Sequence, residues 1–330
     1  MEKSAYIYSQ LSTHSVLNLI ALHYGLSNPE SCKFYARGLH DNYLISAGKK
    51  KFILRVYRNN WRSGEETGFE LDLLRFLGDK GAPVAFPLLT RMGESSVFID
   101  SPEGKRSVAL FHYANGHAPG NDISIEESAL LGKSVANIHS LTENYLTPRT
   151  RPVLDVPYLL DGSIIAIEPF VEKEILIYLK TLQNKLHRSF PQLVKDPGVF
   201  GICIGDVNPT NFHVAENSLT LFDFDQCGYG FRAFEIGKFI SSIHAVASKK
   251  AIANAFMAGY QQVRQLSHEE ISAIPYFEIV SLIWVMAINA SNADLIGHKW
   301  LEKPFWHRKI AILKELDKAL FINKVQPLSG

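Results

Sequence analysis

The sequence predicts an α+β protein of two lobes: a small antiparallel-sheet lobe with one helix, followed by a larger, mostly helical lobe. Three observations point there. At 330 residues the chain exceeds what one hydrophobic core usually serves. Up to Tyr113, short β-branched and aromatic runs are separated by turn residues, and such short links imply antiparallel pairing. Beyond Tyr113 apolar residues recur mainly at helical spacing. The change of texture falls at the loop Ala114-Asn115-Gly116 and Pro119-Gly120-Asn121, which divides an expected domain 1–113 from an expected domain 114–330.

Taken in order, residues 15–24 carry apolar positions at helical spacing and stop at Gly25, a C-terminal glycine. Residues 33–46 and 51–57 read as strand, hairpin, strand, broken at Gly48-Lys49-Lys50. Between Glu65 and Lys80, Phe69, Leu73, Phe76 and Leu77 follow i, i+4, i+7, i+8, an amphipathic helix ended near Gly81 and Pro83. Residues 86–92, 96–99 and 106–113 read as further strands around turns at Gly93 and Pro102-Glu103-Gly104. Helices are expected over 125–141, 169–186, 231–247, 249–266, 268–292 and 305–321. Short apolar runs at 199–204, 212–215 and 219–224 are strands in the second half.

Composition narrows the class. Hydrophobic residues at 46% and charged residues at 20% suit a folded, soluble chain rather than a disordered one. A net charge of +1 supplies no global field for nucleic acid or an anionic membrane. Cys32, Cys203 and Cys227 form no CxxC pair and no zinc-ligand spacing, so a reduced, cytoplasmic setting is expected. No apolar stretch of signal-peptide type follows Lys3, and the apolar run 276–290, interrupted by Glu278 and Ser281, is too short to span a bilayer and is expected to be a buried helix.

The chemistry concentrates between Phe200 and Gly230. Asp206, Asn211 and Asp223 lie between short strands at spacings suited to phosphoryl transfer, which needs a carboxylate to orient the attacking hydroxyl and hard oxygen ligands for magnesium. Taken singly, Asp206 and Asn211 read as ordinary turn residues; the three together favour the functional reading. Neither a Ser-His-Asp order nor an HExxH helix is present, which excludes the corresponding hydrolase and zinc-protease readings.

Gly205-Asp206-Val207-Asn208-Pro209-Thr210-Asn211 followed by Phe222-Asp223-Phe224-Asp225 resembles the catalytic core of the aminoglycoside phosphotransferase and choline kinase-like superfamily, relatives of the protein kinases. The general layout also resembles that superfamily's stress-response kinase-like branch. The resemblance implies a bilobal protein-kinase-like fold, with ATP and Mg2+ and transfer of the γ-phosphate to a hydroxyl of a small molecule (an amino alcohol, amino acid or aminoglycoside-like compound) or of a protein serine or threonine, the small molecule being favoured. It implies Asp206 as the catalytic aspartate and Asn211 and Asp223 as the metal ligands. Arg55, in Phe52-Ile53-Leu54-Arg55-Val56-Tyr57, stands where the family carries a phosphate-binding lysine; on local sequence alone it reads equally as an exposed strand arginine. Its acidic partner would be Glu70, with Glu66 as the alternative. Gly38 and Asn42, within Arg37–Tyr43, stand where a nucleotide-covering loop is expected, although an ordinary hairpin explains them as well. Backbone groups between Phe111 and Tyr113 would meet the adenine. Glu235 matches an acidic position that braces the catalytic loop, and Asp225 reads as closing a turn. Trp284, His298, Trp300, Trp306 and His307 read as core more readily than as an acceptor pocket. Ile204 stands where the family usually has histidine. With Arg55 it motivates the alternative of a nucleotide-binding pseudokinase acting as a regulatory or scaffolding module.

Overall fold

The computed structural model describes residues 5–26, 29–216 and 218–321; Lys3 lies outside them. The chain divides into two compact units, neither of them continuous in sequence.

The first unit takes in described residues of Met1–His117, Leu146–Arg151 and Phe212–Asp225. It opens with α1 (Thr13–His23), N-capped by Ser12, whose side chain accepts from the Ser15 amide. Strands β1 (Ser31–Arg37), β2 (Asp41–Ala47) and β3 (Lys50–Val56) follow as a meander, then α2 (Gly64–Asp79), β4 (Val97–Ser101) and β5 (Gly104–His112). They form one antiparallel sheet in the order β1-β2-β3-β5-β4. Val16 and Ile20 of α1 pack on Tyr43, Ile45, Leu54, Val56, Val108 and Leu110 of the sheet, all removed from water. Helix α2 begins with a reciprocal cap between Ser63 and Glu66 and buries Phe69, Glu70, Leu73, Leu74 and Leu77.

Two expectations change in this unit. The stretch 33–46 is two strands, not one, because the chain reverses at residues 38–40 and His40 turns inward. Residues 86–92 form no strand and pair only through an isolated bridge between Pro87 and Phe111, since Pro83 and Pro87 remove amide donors that a ladder requires.

The second unit takes in described residues of Ala118–Tyr145, Pro152–Asn211 and Gln226–Gly330. It holds α3 (Ile125–Leu141), α4 (Gly162–Ile167), α5 (Lys173–Ser189) and β6 (Phe200–Cys203). The hairpin β7 (Phe212–Ala215) and β8 (Ser218–Leu221), which comes next in the chain, belongs to the first unit. The second unit resumes with β9 (Gly228–Phe231), α6 (Arg232–Ser242), α7 (Lys249–Gln261), α8 (His268–Ser291), α9 (Ala293–Ile296) and α10 (Lys303–Phe321). Strand β9 pairs with β6. It has no β-rich signature because half of it is glycine, and at Gly230 a Cβ would lie 2.9 Å from the Leu154 side chain. The helix expected from residue 169 begins instead at Lys173, after a 3-10 turn that contains Pro169.

Helix α8 also corrects the membrane argument. At 24 residues it is long and apolar enough to cross a bilayer by length and composition, since Ile271, Ala273 and Ile274 precede the run read from sequence within the same helix. It is instead largely buried, with Phe277, Ile279, Val280, Ile283, Trp284 and Met286 inside the unit. Trp284 lies edge-on to Phe234 of α6.

Candidate functional site

In the second unit, the loop from Ile204 to Asn211 leaves β6 through Gly205, whose φ of +85° and whose approach to the Gln226 carbonyl, 2.0 Å from an imagined Cβ, admit no side chain. Glu235, in the first turn of α6 and fully buried, accepts the Ile204 amide at 2.6 Å and the Gly205 amide at 2.9 Å. The loop is therefore held through backbone donors. The Ile204 side chain, buried and apolar, is not asked for a hydrogen bond.

One helical turn after Glu235, Lys238 places its ammonium 2.6 Å from Asp206 Oδ1. The lysine is buried, whereas the Asp206 side chain retains about a third of its exposure, so the pair keeps one wet side. Asn211 Nδ2 donates to Asp206 Oδ2 at 2.9 Å and to the Asp206 carbonyl at 3.0 Å. Both partners are acceptors, so the amide nitrogen must face them, leaving Asn211 Oδ1 for another ligand. Beside Asp206 lies a cavity of about 310 Å3, bordered by Asn121, Thr210, Lys238, Ser241, Leu282 and Lys309, among others. Trp284, His298, Trp300, Trp306 and His307 do not border it; Trp284 and Trp306 are core and Trp300 is exposed.

In the first unit, Arg55 points from β3 to α2 and is buried. It lies 3.3 Å from Glu70 Oε1, 3.1 Å from Asp223 Oδ1 and 3.3 Å from Asn42 Oδ1. Glu70, not Glu66, is its helix partner; Glu66 is engaged at the α2 cap and with Arg62. Tyr57 donates its hydroxyl to Glu70 Oε2. Burial disfavours charge on Arg55, yet Asp223 and Glu70 more than offset it and raise its pKa, so the guanidinium stays charged. Asp223 follows β8 in the left-handed region, with φ 63°, a conformation Asp tolerates at a cost of about 1 kcal/mol. Its side chain is 41% exposed, and among the described residues its second oxygen takes no protein hydrogen bond. That oxygen is a hard donor of the kind magnesium takes, and so, within the second unit, is Asn211 Oδ1. Among the described residues no cluster of three or more His, Cys, Asp or Glu side chains offers an all-protein metal cage.

Asp225, read from sequence as closing a turn, does occupy one, and it is also a buried hub. It accepts from His40 Nε2 at 3.0 Å and from Trp61 Nε1 at 2.7 Å, with Arg62 3.7 Å away. The Arg58 amide donates to His40 Nδ1, so that nitrogen is an acceptor and the proton sits on Nε2, facing Asp225. Burial opposes charge on Asp225, but His40, Arg62 and Arg151 hold its carboxyl well below the usual carboxylate range. Gly38 and Asn42 lie on either side of His40. Gly38 is exposed with open space where a Cβ would be, and Asn42 is engaged with Arg55. Phe111 lies inside β5, in register with Ile53, and its ring stacks under Arg55 at 5.5 Å; Tyr113 lies one residue beyond the strand.

Lys238 and the partners of Asp225 escaped the sequence reading. The available signal for Lys238 was its i+3 spacing from Glu235 on a helix entering the core; the His40 pairing spans 185 residues and leaves no local trace.

A family model described as "phosphotransferase enzyme family" matches residues 31–269. An uncharacterized protein of Synechocystis is 34% identical over 313 residues, covering 94% of this chain and 87% of that relative. Among solved structures, a microcompartment-associated aminopropanol kinase superposes with a TM-score of 0.77 at 21% identity, covering 94% of this chain and 98% of the other. An amicoumacin kinase in complex with AMP-PNP and Ca2+ superposes with a TM-score of 0.75 at 22% identity, covering 96% and 94%. The fold is thus that of small-molecule kinases.

Proposed function

The chain belongs to the phosphotransferase enzyme family, and from that premise we propose that it uses ATP with Mg2+ to phosphorylate a hydroxyl of a small molecule in the cytoplasm. The observation that carries this reading is Asp206, a carboxylate held by Lys238 and Asn211 on a loop braced by Glu235, beside a cavity sized for a small acceptor. The related structures support it, since one is named for aminopropanol and the other was solved with an ATP analogue and a divalent cation.

In this reading Asp206 receives the proton of the acceptor hydroxyl as that oxygen forms its bond to the γ-phosphorus and the bond to the ADP oxygen breaks. Lys238, 2.6 Å from Oδ1, holds the Asp206 carboxylate in place. Arg55, fixed by Glu70, pairs with phosphate oxygens; its planar fork offers two donors where a lysine would offer a point charge. Asn211 and Asp223 are the residues that would hold magnesium, which when bound neutralises charge developing on the transferred group. Gly38, Asn42, Phe111 and Tyr113 remain candidates for the nucleotide's surroundings, Asn42 through its bond to Arg55.

The test is magnesium-dependent ADP release across a panel of small alcohols. Asp206→Asn keeps the fold and lowers turnover by about 100-fold or more, the usual contribution of a positioned base. Full activity in that variant would overturn the assignment.

A further inference from the structure

The cavity beside Asp206 carries an unbalanced charge. Lys238 and Lys309 border it, against one carboxylate, Asp206, and Lys238 is already paired with that carboxylate at 2.6 Å. Lys309 projects from α10 and is half-buried, and no carboxylate lies within ion-pair distance of it among the described residues. Burial lowers its pKa, with repulsion from Arg308 and Lys238 acting in the same direction. A cation in this position is stabilised by an anion arriving from outside.

The neighbouring donors point the same way. Ser241 and Ser242 commit their hydroxyl protons to the Lys238 and Phe239 carbonyls, and Thr210 donates to Asn208. Lys309 and the Asn121 amide are the cavity donors not already held by another group among the described residues. An acceptor whose only charge is an ammonium would find no spare acid here, only a second positive charge. With about 310 Å3 the cavity lies at the small end of ligand pockets.

Resting on the phosphotransferase reading above, we propose that the acceptor is a small hydroxy-carboxylate, its carboxylate on Lys309 and Asn121 and its hydroxyl directed to Asp206. The carboxylate is what selects the substrate; an uncharged or purely cationic alcohol of the same length is a poor one.

The experiment compares ADP release with three hydroxy-carboxylates and their carboxylate-free twins: L-homoserine against 3-aminopropanol, L-serine against ethanolamine, and 4-hydroxybutyrate against 1,4-butanediol. At least one carboxylate acceptor is expected to exceed its twin in kcat/KM by about 10- to 100-fold, the range of a charge-assisted hydrogen bond. Lys309→Gln raises the KM for that acceptor by a similar factor with little change in kcat, and Lys309→Arg restores most of it, which a merely structural lysine would not show. Twins used equally well, turnover of none of the six, or a Lys309→Gln variant with unchanged KM would overturn the inference. Binding of AMP-PNP with Mg2+, followed by thermal shift, separates the two levels. Binding without carboxylate preference overturns only the acceptor assignment, whereas no binding overturns the phosphotransferase reading beneath it.

Discussion

Replacing Glu235 tests whether the Asp206 loop is held by one buried carboxylate. The carboxylate accepts two backbone amides, Ile204 at 2.6 Å and Gly205 at 2.9 Å, and is fully buried. Hydrogen bonds to a charged group contribute about 1.5–3 kcal/mol each, and a buried donor left unpaired costs about 1–3 kcal/mol. Glu235→Gln retains one acceptor oxygen but turns an NH2 toward the second amide, leaving one donor facing another. A loss of about 1–3 kcal/mol follows. Glu235→Ala removes both acceptors and opens a cavity, for about 3–5 kcal/mol. Urea unfolding reads the stability, and kcat at saturating substrate reads the loop, because Asp206 follows Gly205 directly. Turnover is expected to fall more steeply than the folded fraction, by about 10-fold or more in Glu235→Gln, since small misplacements of a reacting group are costly. If Glu235→Gln unfolds within about 0.5 kcal/mol of the parent and turns over at the parent rate, the brace is not what positions the loop.

Two further outcomes follow from the buried charges. Lys238→Met leaves the Asp206 carboxylate without its cation; because that carboxylate is partly exposed, water limits the loss of stability to about 1–3 kcal/mol, below the cost at a fully buried pair, while turnover drops by about 10- to 100-fold, and an unchanged kcat would remove Lys238 from the site. Asp225 is held below its ordinary carboxyl range in the folded state, so its contribution to stability is complete above about pH 4 and is lost as pH falls further. The stability gap between the parent and Asp225→Asn, measured by urea unfolding over a pH series, should shrink from about pH 4 downward, and a gap independent of pH would refute the pairing.

Much of this molecule was legible in the chain. Helical periodicity located α3 to its ends because Ser124 and Glu127 form a capping box, a signal contained within four residues. The triplet Asp206, Asn211 and Asp223 was visible because its members sit on short loops between apolar runs, where spacing survives in the linear sequence. Glu70 was identified as the partner of Arg55 from its place on α2, and the structure joins them.

What the sequence could not decide was which groups meet across long separations. Ile204 stands where the resembled family usually has histidine; tertiary structure shows the loop held instead by Glu235 through backbone amides that any non-proline residue supplies. Asp225 looked like a turn residue, and only the fold brings His40, Trp61 and Arg62 to it. Strand β9 was hidden because its glycines are chosen for close packing against the chain near Leu154, not for β propensity. The sequence by itself determined the elements, the phosphotransferase family and the acidic triplet, because periodicity, caps and motif spacing are local. The lysine that balances Asp206 and the lysine that borders the cavity unbalanced were decided by tertiary structure alone, because charge compensation depends on distances in space that residue order does not encode.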